Sequence, residues 1–457
     1  MCIDEHDGFQ SDYTGSKCLK QNRSNMEKAI LVADTSDATN WGCHATSTEL
    51  RKLISGEEVS ISGTIFSKDL PIRKSDFIRP NMADFSYILR SYVNFLNGDS
   101  SFPHRVYDHL LMPTTHLFDY VPKNTKQLQR RAKKFVISGA AGEYFGDLDH
   151  IDHIIINGEG STHDMSSASY RAVAWRRLFI AYVAKKYFDV KVHIINHLIQ
   201  TKSETFRELV RTVYPKLDTI IFRDIMSKRH YNRLVGNDDS VLAADAAWLI
   251  DDLYTKKELN RHLDTIEIWS STGQNSQIDF TKPYICIGGG SGLINDFQQM
   301  YDQHLDIIRS IREKHPNHNL ILTVASEYDS SLMLRLSENT GIPVIGLHND
   351  YSTAASIISN SDVYVGGRWH VSIFALLGGS NLVNFSANTH KISSIGEDIG
   401  FHQPIFEYEA INKKKDSIMS EIERAIEGAD GNSRIKQEDI AHMRERAKRN
   451  RNFITSC

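Results

Sequence analysis

An arginine and a histidine stand two positions apart in the segment Arg368-Trp369-His370, directly after two glycines. A guanidinium binds phosphate or carboxylate through paired hydrogen bonds, and an imidazole can give or take a proton near neutral pH. The apolar residues 363–365 predict a strand before this pair, and residues 371–377 predict a helix after it. The pattern indicates an anion site with an acid–base group at a strand end and a helix start. The alternative is an ordinary salt bridge at Arg368 and a buried core histidine at His370.

Polar side chains also follow most of the other strands that the sequence predicts. In chain order these residues are Glu159 and His163 after residues 154–156, His197 after 192–195, Arg223 and Ser227 after 219–222, and Asp245 after 241–243. One polar residue at a strand end means little. Because parallel strands end at the same sheet edge, several such residues in a repeated strand–helix pattern predict a shared crevice.

The first predicted strand, residues 29–33, leads into a polar loop that contains Asn40, Trp41, Gly42 and His44. A strand, a polar loop and a helix start form a geometry that suits an anion or a sugar. The alternative is a plain strand–helix connection, in which Asn40 and Gly42 serve only the turn.

Strands alternate with helices in both halves of the chain, which predicts an α/β protein with parallel sheets. We expect two Rossmann-like, doubly wound domains that face each other across a crevice. The predicted divisions are a disordered leader (1–25), an N-terminal domain (26–255) with a helical insertion (about 67–145), a linker (256–281), a C-terminal domain (282–410) and C-terminal helices (411–457).

The composition is that of an ordinary water-soluble protein, and its length suits two or three domains. The 457 residues are 40% hydrophobic and 24% charged, with a formal net charge of −4, which argues against broad electrostatic binding to nucleic acid. No apolar run approaches the ~20 residues that span a bilayer, and the N-terminus lacks the apolar core of a signal peptide. We therefore expect a cytoplasmic protein. The five cysteines are scattered and no HExxH motif occurs, so we expect no disulfide framework and no metal site.

Three further segments stand out by their composition: a basic run, a glycine-rich segment and a basic last helix. The basic run at residues 130–134 is typical of a solvated helix face, and the alternative is contact with an acidic glycan or a lipid phosphate. The segment Gly288-Gly289-Gly290-Ser291-Gly292 fits a flexible turn or a phosphate cradle, but it matches neither the P-loop nor the dinucleotide motif. The very basic last helix, residues 436–452, is predicted to face solvent.

Residues 362–391 resemble the C-terminal signature of the polysaccharide pyruvyl transferase family. That signature has an apolar strand, Arg-x-His, an apolar helix, a glycine, a second strand and a late lysine, here Arg368, His370, Gly378 or Gly379, and Lys391. Shorter motifs over about residues 28–400 agree in order. The sequence departs from the family where the first glycine-rich loop reads Asn-Gly-Glu-Gly rather than Gly-Gly-Gly, and where residues 67–145 form a long stretch. Both departures lie on the expected acceptor side.

The resemblance implies a GT-B-like fold and transfer of pyruvate from phosphoenolpyruvate to a sugar as a cyclic ketal. It implies that Arg368, His370 and Arg223 hold the donor, and we group Lys391, Gly367, Trp369 and Ser227 with them. For the acceptor we predict Asn40, Trp41, Gly42, His44 and Asp245. His370 is expected to act as the acid or to assist the departure of phosphate, and Glu159, His163 or His197 is the expected base.

The expected partners are phosphoenolpyruvate, as a co-substrate without a further cofactor, and a glycan or lipid-linked saccharide of the cell envelope. Any contact with the membrane is expected to be peripheral, at its inner face, and no oligomeric state is assigned. Two alternatives stay open. One is a glycosyltransferase that uses a nucleotide sugar, with residues 288–292 near its phosphates. The other is a glycan-binding protein without catalysis, in which Arg368, His370 and Arg223 lie far apart.

Overall fold

The computed structural model describes residues 26–454, apart from residues 70–121 and short segments at 123, 138, 147, 161, 166–167, 237, 271–277, 293–296, 402 and 429–434. The predicted leader (1–25) and most of the predicted insertion (67–145) lie outside the described residues. The described residues form two large, mainly parallel sheets with helices on their faces, and the α/β prediction is confirmed.

The N-terminal sheet has six parallel strands. They are β1 (Glu27–Asp34), β2 (Val59–Phe66), β3 (His153–Asn157), β5 (Lys191–His197), β7 (Thr219–Phe222) and β8 (Val241–Leu242). Their order is β2-β1-β3-β5-β7-β8, so the direction of winding reverses between β1 and β3. Strand β3 is apolar at three consecutive positions because helices cover both faces of the sheet. A ligand crevice is expected where the winding reverses.

Within the described residues, six α-helices accompany this sheet, and a short pair of strands lies beside it. The helices are α1 (Trp41–Ile54), α2 (Thr125–Ile137), α3 (Ala140–Phe145), α4 (Ala168–Tyr187), α5 (Glu204–Val213) and α6 (Ile225–Val235), and the strand pair is β4 (Thr162–His163) with β6 (Ile199–Gln200). Helix α1 begins at Asn40, whose side chain accepts a hydrogen bond from the Cys43 N–H at 3.1 Å. An N-cap of this kind fixes where the helix starts, directly after the loop that follows β1.

The C-terminal sheet has seven strands, in the order β15-β14-β13-β10-β11-β12-β9. They are β9 (Ile268–Trp269), β10 (Tyr284–Gly290), β11 (Asn319–Thr323), β12 (Val344–Ile345), β13 (Val363–Gly367), β14 (Asn381–Phe385) and β15 (Ile405–Phe406). All pairs are parallel except β12 with β9. Its helices include α7 (Lys256–Arg261), α8 (Phe297–Lys314), α9 (Glu327–Thr340), α10 (Tyr351–Ser359), α11 (Trp369–Leu377) and α12 (Lys391–Ile399). Here the winding reverses between β10 and β13.

The segment predicted as a linker (256–281) is part of the C-terminal domain wherever it is described, so this prediction was wrong. Helix α7 packs there, and β9 forms the sheet's antiparallel edge. Leu259, Ile266, Ile278 and Phe280 are buried in the core of that domain. The segment looks polar because its few apolar residues are separated by exposed ones. The sequence therefore shows no helical or strand-like periodicity of apolar residues there.

The C-terminal helices are α13 (Lys415–Glu427) and α14 (Gln437–Lys448), and α14 crosses back to the N-terminal domain. Just after α14, the Asn450 side chain donates to the Ala244 carbonyl at 2.9 Å and accepts from the Asn196 N–H at 2.8 Å. Phe453 is buried against the N-terminal sheet. The basic last helix does not simply face solvent as predicted, because Arg446 is buried and donates to Asp398 at 2.8 Å.

Candidate active site

A cavity of about 450 Å³ lies between the two domains, at the carboxyl ends of the strands where both sheets reverse their winding. The loops after β1 and β3 line it from one side, and residues after β10 and β13 line it from the other. Its charged and titratable lining residues are Cys43, Glu159, Arg177, Arg223, Glu327, Tyr328, Arg368, His370 and Lys391. Of the strand-end residues predicted to share a crevice, Glu159 and Arg223 line this cavity, and His163, His197 and Asp245 do not.

Arg368 enters the cavity from the end of β13, at the N-cap position of α11. Its Nε and Nη2 donate to both carboxylate oxygens of Asp329, at 2.7 to 3.2 Å. Burial alone would lower the pKa of Arg368, but the Asp329 carboxylate outweighs burial and raises it. A Cβ on Gly289 would lie 2.2 Å from Asp329 Oδ1, so glycine leaves room for this carboxylate. Asp329 therefore fixes the guanidinium as a permanent, oriented cation.

Arg223 and Asp245 form a buried ion pair in the floor of the cavity. Nη1 of Arg223 donates to Oδ2 of Asp245 at 2.7 Å, and both side chains are at most 1% exposed. The guanidinium carbon also lies 5.0 Å from the ring centroid of Trp369, in a cation–π contact from the other domain. Oδ1 of Asp245 accepts from Thr46 Oγ1 and from the Ala247 N–H. These partners hold the pair in one geometry.

His370 faces two carboxylates of the N-terminal domain. Its Nε2 lies 3.4 Å from Asp245 Oδ2 and 4.0 Å from Glu159 Oε1. The side chain is 11% exposed and lines the cavity. A Cβ on Gly42 would lie only 2.1 Å from His370 Nδ1, so the ring packs against the first turn of α1. Gly42 is therefore required by the histidine of the opposite domain, and not only by a turn.

Glu159 follows β3 and accepts a hydrogen bond from Thr35 Oγ1 at 3.0 Å. Cys43 lines the cavity beside it, and burial followed by the Glu159 charge raises the pKa of this thiol well above its usual value. Arg177 of α4 donates from Nε to the Asn157 carbonyl at 3.1 Å. Burial lowers the pKa of Arg177 to about 10, so it remains a cation at neutral pH.

Lys391 is the first residue of α12, and its side chain lines the cavity. Across the described parts of the chain, its ammonium has no hydrogen bond or ion pair with another side chain. Burial, and then the charges of Arg368 and Arg223, lowers the pKa of Lys391 to about 7. A cation without a partner among two arginines is suited to a ligand that brings negative charge.

Helix α12 is held against the N-terminal domain at both ends. At its start, His390 Nε2 lies 3.1 Å from Asp224 Oδ1 and 3.2 Å from Ser227 Oγ, and the His390 N–H donates to Gln200 Oε1 at 3.0 Å. At its end, Asp398 Oδ1 accepts from the Ile225 N–H at 3.2 Å. These contacts fix Lys391 in the cavity.

Of the residues predicted from sequence, the structure brings Arg368, His370, Arg223, Lys391, Trp369, Glu159, Asn40 and Gly42 to the cavity lining, with Asp245 directly behind it. Gly367 ends β13 and packs under the hydroxyl of Tyr408. Ser227 lies in the first turn of α6, where its N–H and hydroxyl donate to the N-cap residue Asp224, and it does not line the cavity.

Four further predicted residues lie outside the cavity lining. His197 is fully buried, with Nδ1 at 3.1 Å from the Gly158 carbonyl and Nε2 at 2.7 Å from Tyr214 Oη, and burial lowers its pKa to about 3. His163 is buried on β4, and burial lowers its pKa to about 4. The Trp41 indole donates to the Leu347 carbonyl, and His44 packs edge-on against Tyr351. The geometry leaves Glu159 as the predicted base that faces His370.

Glycines 288–290 continue strand β10 rather than forming a loop, so the flexible-turn prediction was wrong there. Added Cβ atoms would meet Tyr364 and Thr323 at Gly288, Asp329 at Gly289 and the Tyr408 hydroxyl at Gly290. Packing therefore explains these glycines without a phosphate. Ser291 lines the cavity.

Sequence reasoning missed Arg177, Asp329, Thr35 and Cys43. Asp329 lies within α9 and carries no motif, and only its buried position identifies it. Arg177 gave one usable signal, because it and Arg176 interrupt an apolar stretch of α4, where a buried charged side chain needs a partner.

Among the described residues, no group of three or more His, Cys, Asp or Glu side chains is arranged to hold a metal ion. Among the described helices, none is both long and apolar enough to cross a bilayer.

Comparison with known families identifies the chain over most of its length. The model of the family described as polysaccharide pyruvyl transferase matches residues 64–386. The chain belongs to this family. A comparison with curated proteins gave no match. As a polysaccharide pyruvyl transferase family member, the protein is a transferase, and the suspected family is confirmed, with the matched region including residues 362–386 of the signature.

Solved structures resemble this family member in fold. UDP-GlcNAc 2-epimerase from Neisseria meningitidis, bound to UDP-GlcNAc, superposes with a TM-score of 0.52 at 10% identity, over 94% of this chain and 98% of that one. The UDP-GlcNAc 2-epimerase from Methanocaldococcus jannaschii gives 0.51 at 10% identity, over 94% and 100%. These are GT-B fold enzymes, and the polysaccharide pyruvyl transferase chain has the same two-domain fold. At this identity the likeness concerns the fold alone.

Proposed function

We propose that this protein transfers pyruvate from phosphoenolpyruvate to two hydroxyls of a sugar in a cell-envelope glycan or its lipid-linked precursor, with a cyclic ketal as product. The observation that carries the proposal is the set of four cations that line one cavity, Arg177, Arg223, Arg368 and Lys391, together with His370. Phosphoenolpyruvate carries a phosphate and a carboxylate on the same carbon, and several cations are needed to bind both.

The cations of the cavity differ in whether they have a carboxylate partner, which supports different roles for them. Arg223 and Arg368 each have a carboxylate partner, Asp245 and Asp329, which orients them without ligand. Lys391 has no such partner among the described residues, so a bound anion supplies the charge that it lacks. We assign donor phosphate and carboxylate binding to these three residues. Arg223 and Arg368 are oriented before the ligand binds, so little binding energy is lost in ordering them. Lys391 adds a positive charge that no carboxylate already neutralises.

Acid–base chemistry follows from His370 and Glu159, which approach each other to 4.0 Å from opposite domains. His370 gives a proton to the methylene carbon of the enol, while Glu159 takes one from the attacking sugar hydroxyl. A carbon–oxygen bond then joins the sugar to the central carbon. Asp245, held as an anion, orients the histidine ring.

The second half of the reaction releases phosphate and closes the ketal. The bond between the central carbon and the phosphate oxygen breaks, and phosphate leaves with that electron pair, stabilised by the surrounding cations. A neighbouring sugar hydroxyl forms the second carbon–oxygen bond and gives its proton to His370, which the first step left deprotonated, while Glu159 passes the proton that it took to the departing phosphate. In total, one phosphoenolpyruvate and one diol yield one ketal and one inorganic phosphate. We place the acceptor on the N-terminal side of the cavity, near Thr39 and Asn40. We also infer that the enzyme works at the cytoplasmic face of the membrane.

The test is a balanced reaction with a matched variant. The protein is incubated with phosphoenolpyruvate and a panel of glycosides, including galactose, mannose and N-acetylglucosamine linked to a lipid. Phosphate release and acid-labile pyruvate on the sugar are measured together. We expect equal amounts of both products, with turnover lost in His370→Gln. Phosphate release without sugar-bound pyruvate, or full turnover in the variant, would overturn the proposal.

A further inference from the structure

Helix α2 (Thr125–Ile137) has two faces of opposite character. Leu128, Ala132 and Phe135 are fully buried and pack into the core of the N-terminal domain. The opposite stripe holds Lys126, Arg130, Lys133 and Ile137, spaced four, three and four residues apart, and all four are exposed. Because a helix repeats every 3.6 residues, these side chains project on one side, away from the core.

The helix is strongly basic in a chain that is acidic overall. It contains five cations and no Asp or Glu, while the whole chain has a formal net charge of −4. Across the described residues, Lys126, Arg130 and Lys133 form no ion pair with a carboxylate. Of the nearby acids of α5, Glu204 pairs with Arg211, and Glu208 accepts from the N–H and hydroxyl of Thr125 at the start of α2 rather than from a cation of the stripe. The stripe therefore presents uncompensated positive charge.

Ile137 ends the stripe with an apolar side chain that is 73% exposed. An acidic glycan would match the cations but would gain nothing from this isoleucine. The surface of a bilayer offers both kinds of contact, since headgroup phosphates lie directly above an apolar interior. The combination of a basic stripe and an exposed apolar end favours a membrane over a dissolved polyanion.

We propose that the outward face of α2 docks the protein on an anionic phospholipid membrane. Lys126, Arg130 and Lys133 contact headgroup phosphates, and Ile137 enters the interface. The apolar face of α2 is occupied by the core, so binding is mainly electrostatic, reversible and sensitive to salt. This inference stands independently of the reaction proposed above, because it uses none of the residues of the cavity.

The test measures binding of the full-length chain to sedimented vesicles. One preparation is phosphatidylcholine alone, and the other contains about one-third phosphatidylglycerol. We expect binding only to the anionic vesicles, and its loss as salt is raised to about 0.5 M. Removing one surface cation should lower the membrane partition coefficient about fivefold. The double variant Arg130→Gln with Lys133→Gln should therefore lower it about 25-fold. Ile137→Ser lowers it about tenfold.

The matched control is Arg309→Gln with Arg312→Gln, which removes two exposed cations from α8 in the other domain. The control variant is expected to bind like the unmodified protein, and all variants are expected to keep its unfolding temperature. The proposal is overturned if the α2 and α8 variants lose binding equally. It is also overturned if anionic vesicles are not bound, or if the protein binds soluble heparin but not vesicles.

Discussion

Nε2 of His370 lies 3.4 Å from Oδ2 of Asp245, across the boundary between the two domains. The same oxygen accepts a hydrogen bond from Arg223 at 2.7 Å. Burial alone would raise the pKa of Asp245, but His370 and Arg223 outweigh burial and hold it well below its usual value. Asp245 is therefore an anion throughout the physiological range, and one carboxylate orients both a donor-binding arginine and the candidate acid.

Replacement of Asp245 by Asn is expected to leave Arg223 as a buried cation without a counter-charge. We predict a loss of about 3 kcal/mol or more in unfolding free energy and a fall of about 100-fold in turnover. Denaturant titration and phosphate release measure the two effects. The control is Asp306→Asn, an exposed carboxylate near Lys415, for which we expect a change below about 0.5 kcal/mol. Equal stability of the two variants would contradict this account of the pair.

Strand ends and local motifs were the parts of the site that sequence could predict. Arg368, His370, Arg223 and Lys391 stand out because each follows a buried apolar strand or its adjoining loop, and parallel strands end at one edge. Side chains that support them from within helices, such as Asp329, have no such marker. Sequence also could not separate His197 from Glu159, because the packing of distant elements decides which one lines the cavity.

The two sheets were predictable for the same reason, since long apolar runs alternate with amphipathic helices. The linker prediction failed because α7 and β9 are short, and short elements in a polar context are stabilised by contacts with the rest of the domain rather than by their own pattern. The fold-back of α14 depends on single side chains, such as Phe453 and Asn450, that no local period reveals.

Gly42 provides a test of the position of His370. Gly42→Ala would place a methyl group 2.1 Å from Nδ1, so the ring must move away. We predict that turnover falls about 100-fold, because a small displacement of a catalytic group is costly, while phosphoenolpyruvate still binds. The matched control is Gly142→Ala in α3, where no atom lies within 4 Å, and it should gain up to about 1 kcal/mol in stability. Full activity of Gly42→Ala would be inconsistent with His370 as the acid.

Lys391 should couple stability to pH. Its native pKa of about 7 lies below the usual value of the unfolded chain, so the unfolded state binds more protons between these values. Stability of the unmodified protein should therefore rise as pH increases from about 7 to about 10. Lys391→Met should remove that slope and stabilise the ligand-free protein by about 1–2 kcal/mol at pH 7 and below. Thermal unfolding across this pH range measures the effect, and a destabilised variant would refute it.

The same lysine should set the pH dependence of donor binding. The ammonium form attracts the anion, so affinity for phosphoenolpyruvate should fall as pH rises above about 7. Titration calorimetry in buffers of different ionisation enthalpy should show proton uptake on binding. In Lys391→Met, binding should be weaker and proton uptake lost. A proton release, or an unchanged profile in the variant, would argue against this role.

His390 is expected to act on the donor site through Lys391, as a positioning residue. It contacts Asp224 and Ser227 and does not line the cavity. His390→Ala should loosen the start of α12 and raise the KM for phosphoenolpyruvate about tenfold. Because Lys391 becomes hydrated, its pKa should rise, and the loss of phosphoenolpyruvate affinity at alkaline pH should move to higher pH. His348→Ala, an exposed histidine of the same domain, is the control. A lower kcat with an unchanged pH dependence of phosphoenolpyruvate binding would indicate a different role for His390.

The most direct test of the central claim is stabilisation of the protein by phosphoenolpyruvate. Thermal unfolding is recorded with phosphoenolpyruvate and, separately, with nucleotide sugars, for the unmodified protein, Arg368→Ala and the exposed control Arg312→Ala. A ligand at about 100 times its Kd should add about 2.7 kcal/mol. We predict a raised midpoint with phosphoenolpyruvate in the unmodified and control proteins, and none in Arg368→Ala relative to its own ligand-free midpoint. A shift with a nucleotide sugar and none with phosphoenolpyruvate would contradict the claim and indicate a glycosyltransferase.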